Sequence, residues 1–295
     1  MKHSPRRAFF VNRITAIASS TVRVLIRLKT FHVLFLFTLL LIGGSIWMSQ
    51  FTFQEEFQVL KDIAFGSMSI FTSLLAVLST AQLIPSDLED RTLYTILAKP
   101  VARIEYLLGK LAGVLLLLAW SMIIMSLLFL IVLKAREQAV LHQTAQQLQV
   151  SSPEQMTEAL KAVRNAAFNR NLCPVLLVIY LKACLLAALT LFISTFATTT
   201  IFSATTMMFV YLIGHLQSIA RTYWLEGSAP GWMTRGFLAL ITLFFPDLQL
   251  FNLADDAVAG VAIPMTLLAR TIALGCFYTG FYLLLAWLVF AQKEL

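Results

Sequence analysis

The chain has little charge. Only 13% of its 295 residues are Asp, Glu, Lys or Arg, against 59% hydrophobic, and mean hydropathy is +0.82. That balance excludes a soluble domain, in which about a quarter of residues are charged. Cysteine is scarce as well. Cys173, Cys184 and Cys276 show no paired or metal-ligand spacing, so small apolar filler is the expected role. His3, His32, His142 and His215 are equally scattered, and no metal site is inferred. No G-x-x-x-x-G-K occurs: Ile104 stands where Gly109-Lys110 would need its first glycine, so nothing cradles a nucleotide phosphate. Ser203 and Thr205 lie about three helical turns from His215 with no G-x-S-x-G turn, which argues against a serine hydrolase. Acids are missing from the middles of the apolar runs, where an ion-coupled transporter would carry them.

What the chain does have is apolar runs about twenty residues long, the length of helix that crosses a hydrocarbon core roughly 30 Å thick. Backbone groups in lipid must all be paired, and continuous apolar runs select helices over a barrel. The expected fold is therefore all-α and polytopic, a single domain over 1–295. Six spans are read at about 31–49, 64–84, 107–133, 174–196, 199–218 and 265–290. A shorter run, 236–245, stops at Pro246 and suits a re-entrant or interfacial helix before the last span. An even count puts both termini on one side. Lys2, Arg6, Arg7, Arg13, Arg23, Arg27 and Lys29 precede the first span without an acid, which assigns that side to the cytoplasm. Glu55, Glu56 and Asp62 against Lys61 suit the first outer loop, and the first apolar run is expected to persist rather than be cleaved as a signal peptide.

Three polar regions interrupt the spans. Over 12–30, Arg13, Ser20, Arg23 and Arg27 share one helical face, and Ile14, Ile17, Ala18, Thr21, Leu25 and Leu28 another. Such a helix can rest its apolar face in the headgroup boundary, and can also brace the first span or a partner. The 134–172 segment lies outside in this topology, either as a flexible insert or as a helix from Ser152-Pro153-Glu154-Gln155 that lines Met156, Leu160, Val163 and Ala167 against an extracytoplasmic partner or its own neighbour. The 219–264 region is extracytoplasmic or re-entrant.

The cytoplasmic loop 87–105 is the most informative. Pro85 and Ser86-Asp87 are expected to stop the incoming helix, and Pro100 to end a short amphipathic helix over 92–98. Leu93, Tyr94, Ile96 and Leu97 stand among charges of both signs, more apolar surface than a simple turn needs, so this face is expected to dock on something. Glu105 suits the dipole at the first turn of the third span, and Gly109 allows close packing there.

The stretch "DRTLYTILAKPVARIEYLLGK", residues 90–110, resembles the cytoplasmic loop of ABC-2 type permeases, especially those related to bacterial multicopper-enzyme maturation permeases. The basic amphipathic helix and "FFPDLQLFNL", 244–253, add to the likeness, while the 134–171 insert has no counterpart in it. The resemblance implies the membrane half of an ATP-driven transporter, an exporter in the bacterial cytoplasmic (inner) membrane. Two six-helix subunits, as a homodimer or heterodimer, would sit on separate ATPase subunits that bind the ATP and Mg. The chain itself would need no cofactor, perform no catalysis and meet no nucleic acid; its partners would be the ATPase, a second permease and lipid. The loop would be a coupling helix, seated on the ATPase through Glu89, Arg91, Leu93, Tyr94, Leu97, Lys99, Pro100, Arg103 and Glu105. Alternative readings are a structural membrane anchor of a larger complex, which shares the docking loop, and an ion-coupled secondary transporter.

Lys182 is the one formal charge well inside a span, roughly 12 Å past Pro174 at helical rise. It either snorkels to a surface or faces a cavity or subunit seam, pairing with a carbonyl or with a carboxylate such as Asp247.

Overall fold

The computed structural model describes residues 5–49, 56–89, 102–147, 153–226 and 246–292, with backbone alone at 5–10, 48–49, 147, 153–154 and 218–226. Every regular element among them is helical. In chain order these are α1 (Pro5–Ile26), α2 (Lys29–Ser49), α3 (Glu56–Ala81), α4 (Leu83–Glu89), α5 (Arg103–Gln147), α6 (Pro153–Ala167), α7 (Leu172–Phe196), α8 (Thr200–Glu226), a 3-10 turn at Leu248–Phe251, α9 (Ala254–Val258) and α10 (Met265–Gln292).

Five helical segments among the described residues are long and apolar enough to cross a membrane: Lys29–Trp47, Glu56–Glu89, Arg103–Gln146, Gln155–Phe196 and Met265–Gln292. The expected fifth of six spans falls on α8, which is not among these five. Its run is diluted by Ser203, Thr205, Thr206, His215 and Gln217. The 236–245 run lies outside the described residues.

α7 is the axis of the bundle. Its sequence is apolar all round, the signature of a helix with no solvent face, and every residue from Lys182 to Leu191 is buried. α3 and α10 pack along it, and α5 and α8 complete its surroundings. α2 lies outermost against α3 and α5 and leaves Val33, Leu36, Phe37 and Leu40 exposed.

Four boundaries differ from expectation for physical reasons. α1 starts at Pro5, before residue 12, and breaks at Arg27-Leu28. Pro85 does not stop the incoming helix. The break falls at Gln82, and Pro85 sits in the first turn of α4, where a missing N–H leaves no intrahelical bond unmade. Nor does the helix of the third span end at Leu133. α5 continues unbroken to Gln147, 45 residues or about 68 Å at 1.5 Å per residue, far more than a bilayer is thick. The first part of the insert is thus an extension of a span. α6 then begins on Pro153, as the proline predicts, and folds back along that extension with Ala167 buried.

The apolar face of α1 packs against protein. A Cβ on Gly109 would fall 2.7 Å from Ile17 Cβ, and one on Gly113 would fall 2.7 Å from Thr21 Cβ and 2.9 Å from the Ala18 carbonyl. The matched pairs advance four residues together, so α1 runs parallel with the first turns of α5 and buries Ala18, Thr21 and Leu25. Gly109 packs closely, as expected. The seam is G-x-x-x-G, in which two absent side chains let backbones approach.

Candidate functional site

Chemistry gathers at three places, beginning with the first turns of α5. An α-helix leaves its first N–H groups and last carbonyls unpaired. Glu105 accepts the Ala102 N–H at 3.3 Å, closing its own helix start, and its carboxylate lies 3.5 Å from the Arg13 guanidinium of α1. Arg103 reaches the other way. Its Nη1 donates to the Phe290 and Ala291 carbonyls at 3.0 and 2.6 Å and so caps the C-terminal end of α10. One turn on, Tyr106 is fully buried, stacks on Phe290 and donates its hydroxyl to Asp87 of α4, while Lys110 pairs with the same Asp87 oxygen at 2.6 Å. Four helices, α1, α4, α5 and α10, are thus joined by side chains at the start of α5. Glu89, on α4, is exposed. Arg91, Leu93, Tyr94, Leu97, Lys99 and Pro100 lie outside the described residues, as does the expected 92–98 helix.

The second place is Lys182, 5% exposed and therefore not snorkelling within this chain. Its Nζ lies 3.1 Å from His215 Nε2 and 5.8 Å from the Tyr211 ring centroid. Chemistry sets the direction of that bond. His215 Nδ1 lies 3.0 Å from the Tyr211 carbonyl, which can only accept, so Nδ1 carries the proton and Nε2 accepts from the lysine. The expected Asp247 pairing is corrected. Asp247 caps the 3-10 turn by accepting the Gln249 N–H at 3.0 Å, and the Gln249 amide approaches the His215 carbonyl at 3.5 Å. The lysine that meets His215 is 33 positions away on another helix, so sequence spacing does not reveal the pair. The available signal was the place of His215 one turn after Tyr211 on an apolar helix, where an imidazole needs a donor.

The third is at the insert end. Lys61, 3% exposed, donates to the Ala166 carbonyl at 2.6 Å and caps α6. Arg136, on the extension of α5, holds Glu56 at the start of α3 through Nε at 3.1 Å and Nη2 at 2.6 Å. Asn171 donates to the Val261 carbonyl and accepts from the Ile263 N–H. The insert is fastened to the bundle by capped helix ends, so the flexible-insert alternative does not describe the residues seen.

Among the described residues, no group of three or more His, Cys, Asp or Glu side chains could hold a metal ion. Fold and site together define a helical protein with several membrane-crossing candidates, tied at one end by a charged and aromatic cluster and holding a buried lysine against a histidine. No protein-family model matches the chain, and no curated protein matches it significantly.

Proposed function

We propose that this chain is the membrane-spanning permease subunit of an ATP-driven transporter of the ABC-2 type, an exporter of the bacterial cytoplasmic membrane. In this reading it pairs with a second permease and is driven by separate ATPase subunits docked on the 87–105 loop. The observation that carries it is the clamp at the start of α5. The loop feeds directly into that helix, and Arg103, Glu105, Tyr106 and Lys110 tie its first turns to α1, α4 and α10. A push on the loop therefore reaches three further helices through short polar contacts, which is what converting closure of an ATPase into rearrangement of a membrane subunit requires.

Topology supports the same reading. Arg13 of α1 and the last turn of α10 meet at one end of the bundle, so an even number of crossings separates them. With five apolar candidates, this reading takes α8 as the sixth crossing, with its His215 facing Lys182. Both termini then face the cytoplasm, with the seven bases ahead of the first span.

The test is co-purification. Leu93→Asp with Leu97→Asp should leave the chain inserted and detach the ATPase, since burying a leucine contributes roughly 1.5–3 kcal/mol. Recovery of the ATPase at wild-type yield would refute the docking surface. Partner ATP hydrolysis stimulated by this chain and tied to solute movement separates a transporter from a structural anchor, which would bind without coupling.

A further inference from the structure

At the insert end, the start of α3, the end of α6 and the end of α9 border a cavity of about 220 Å³. That is roughly seven times the ~30 Å³ share of a water molecule in the liquid, and below the roughly 300–1,000 Å³ of sites for drug-sized ligands. Three amide side chains line it, Gln58, Asn165 and Asn169, and none of them has a hydrogen-bond partner among the described residues. Gly260, in the left-handed region at φ 76°, forms part of the wall, and a Cβ there would fall 3.9 Å from Asn169 Nδ2. The amide thus borders backbone that no side chain covers. Phe57 and Val258 supply apolar wall.

Charge in the lining favours neither sign. No acid lines the cavity, and its one cation, Lys61, is 3% exposed with its ammonium engaged by the Ala166 carbonyl at 2.6 Å. A second cation would meet that lysine. An anion would meet an ammonium already bonded, with Asp255 and Asp256 exposed on the adjoining α9. What the walls do offer is amide groups, each with an acceptor oxygen beside two donor hydrogens. Neighbouring hydroxyls complement that pattern, since every hydroxyl both donates and accepts.

We propose that this cavity binds a small neutral polyol the size of one sugar ring. Its hydroxyls bond to Gln58, Asn165 and Asn169, and its C–H face rests on Phe57. Neutrality follows from the charge of the lining, size from the volume, and the hydroxyls from the unpartnered amides. The inference does not depend on ATP-driven transport and is tested on this chain without an ATPase, so its failure and failure of the permease reading are separate results.

The purified full chain is placed in phosphatidylcholine nanodiscs, which carry no sugar, and offered methyl α-glucoside, methyl α-galactoside and methyl α-mannoside in turn. Saturation transfer from protein to ring protons is expected for at least one of the three. Its affinity should fall about tenfold in Asn165→Leu and in Asn169→Leu, as the hydrogen bonds of one amide are lost. Ala259→Trp, at an exposed lining position, fills the cavity with every amide in place and should abolish transfer, which keeps the test decisive if an asparagine variant fails to fold. Gln155→Leu, exposed near the other end of α6, should bind as wild type. Transfer to none of the glycosides, or unchanged affinity in Ala259→Trp or in both asparagine variants, would overturn the proposal. So would displacement of the glycoside by succinate, which would assign the cavity to anions. Displacement by a glucosyl diacylglycerol in the disc would support the polyol with a lipid head group as its source, and retention of the free glycoside would support it with a soluble sugar.

Discussion

Arg103 and Glu105 act as neighbours with opposite tasks, one closing the end of α10 and the other the start of α5 while holding Arg13 of α1. Hydrogen bonds to a charged group contribute about 1.5–3 kcal/mol each. Arg103→Ala should therefore loosen the last turn of α10 locally, speeding its amide exchange by at least about tenfold. On the proposed permease reading, the same substitution, and Glu105→Ala, should lower coupled transport more than basal ATP hydrolysis by the partner. Wild-type exchange in α10 would mean that the guanidinium contact carries no restraint. Transport unchanged in both variants would reduce the pair to a solvated interface contact, worth around 0–1 kcal/mol when exposed.

At the scale of elements, the seam between α1 and α5 depends on two hydrogens. Even the Cβ of alanine at position 113 would press the Ala18 carbonyl at 2.9 Å and Thr21 Cβ at 2.7 Å, neither of them a flexible side-chain tip. Overpacking of this kind costs about 1–3 kcal/mol. Gly113→Ala should weaken docking of α1, and Gly113→Val should separate it, read as faster trypsin cleavage after Arg13 and Arg23 in detergent. Equal protection in all three proteins would show that α1 is held elsewhere along its length. The insert obeys the same logic at the opposite end. Lys61→Met removes the cap on α6, and Arg136→Met breaks the two-pronged grip on Glu56. Each should lower the thermal midpoint, by the loss of about 1.5–3 kcal/mol per charged hydrogen bond, while exposed Lys161→Met on α6 should not. Midpoints that match wild type would return the insert to a loosely attached appendage.

On the scale of the whole molecule, α7 forms the axis and the polar clusters sit at the ends and beside Lys182, so the charged residues act mainly as fasteners between helices. Sequence alone determined that the protein is helical and rich in membrane-crossing candidates, because burial in lipid demands long uninterrupted apolar runs and those are local. It marked Lys182 by the same argument, one charge where none is affordable, and placed the start of α6 through Pro153, since proline at the first helical position is a local signal. It also allowed close packing at Gly109. What a helix face meets is not local. The tertiary structure turned the apolar stripe of α1 onto α5 when lipid would have satisfied the same periodicity. It gave Lys182 to His215, while Asp247 caps the 3-10 turn. It joined Asp87 to Lys110 and Arg103 to Ala291 across 23 and 188 positions of chain. Hydrophobic length is written in consecutive residues. The partner of a buried charge is set by which helices pack together, and apolar packing depends on shape and volume that one-dimensional periodicity does not encode.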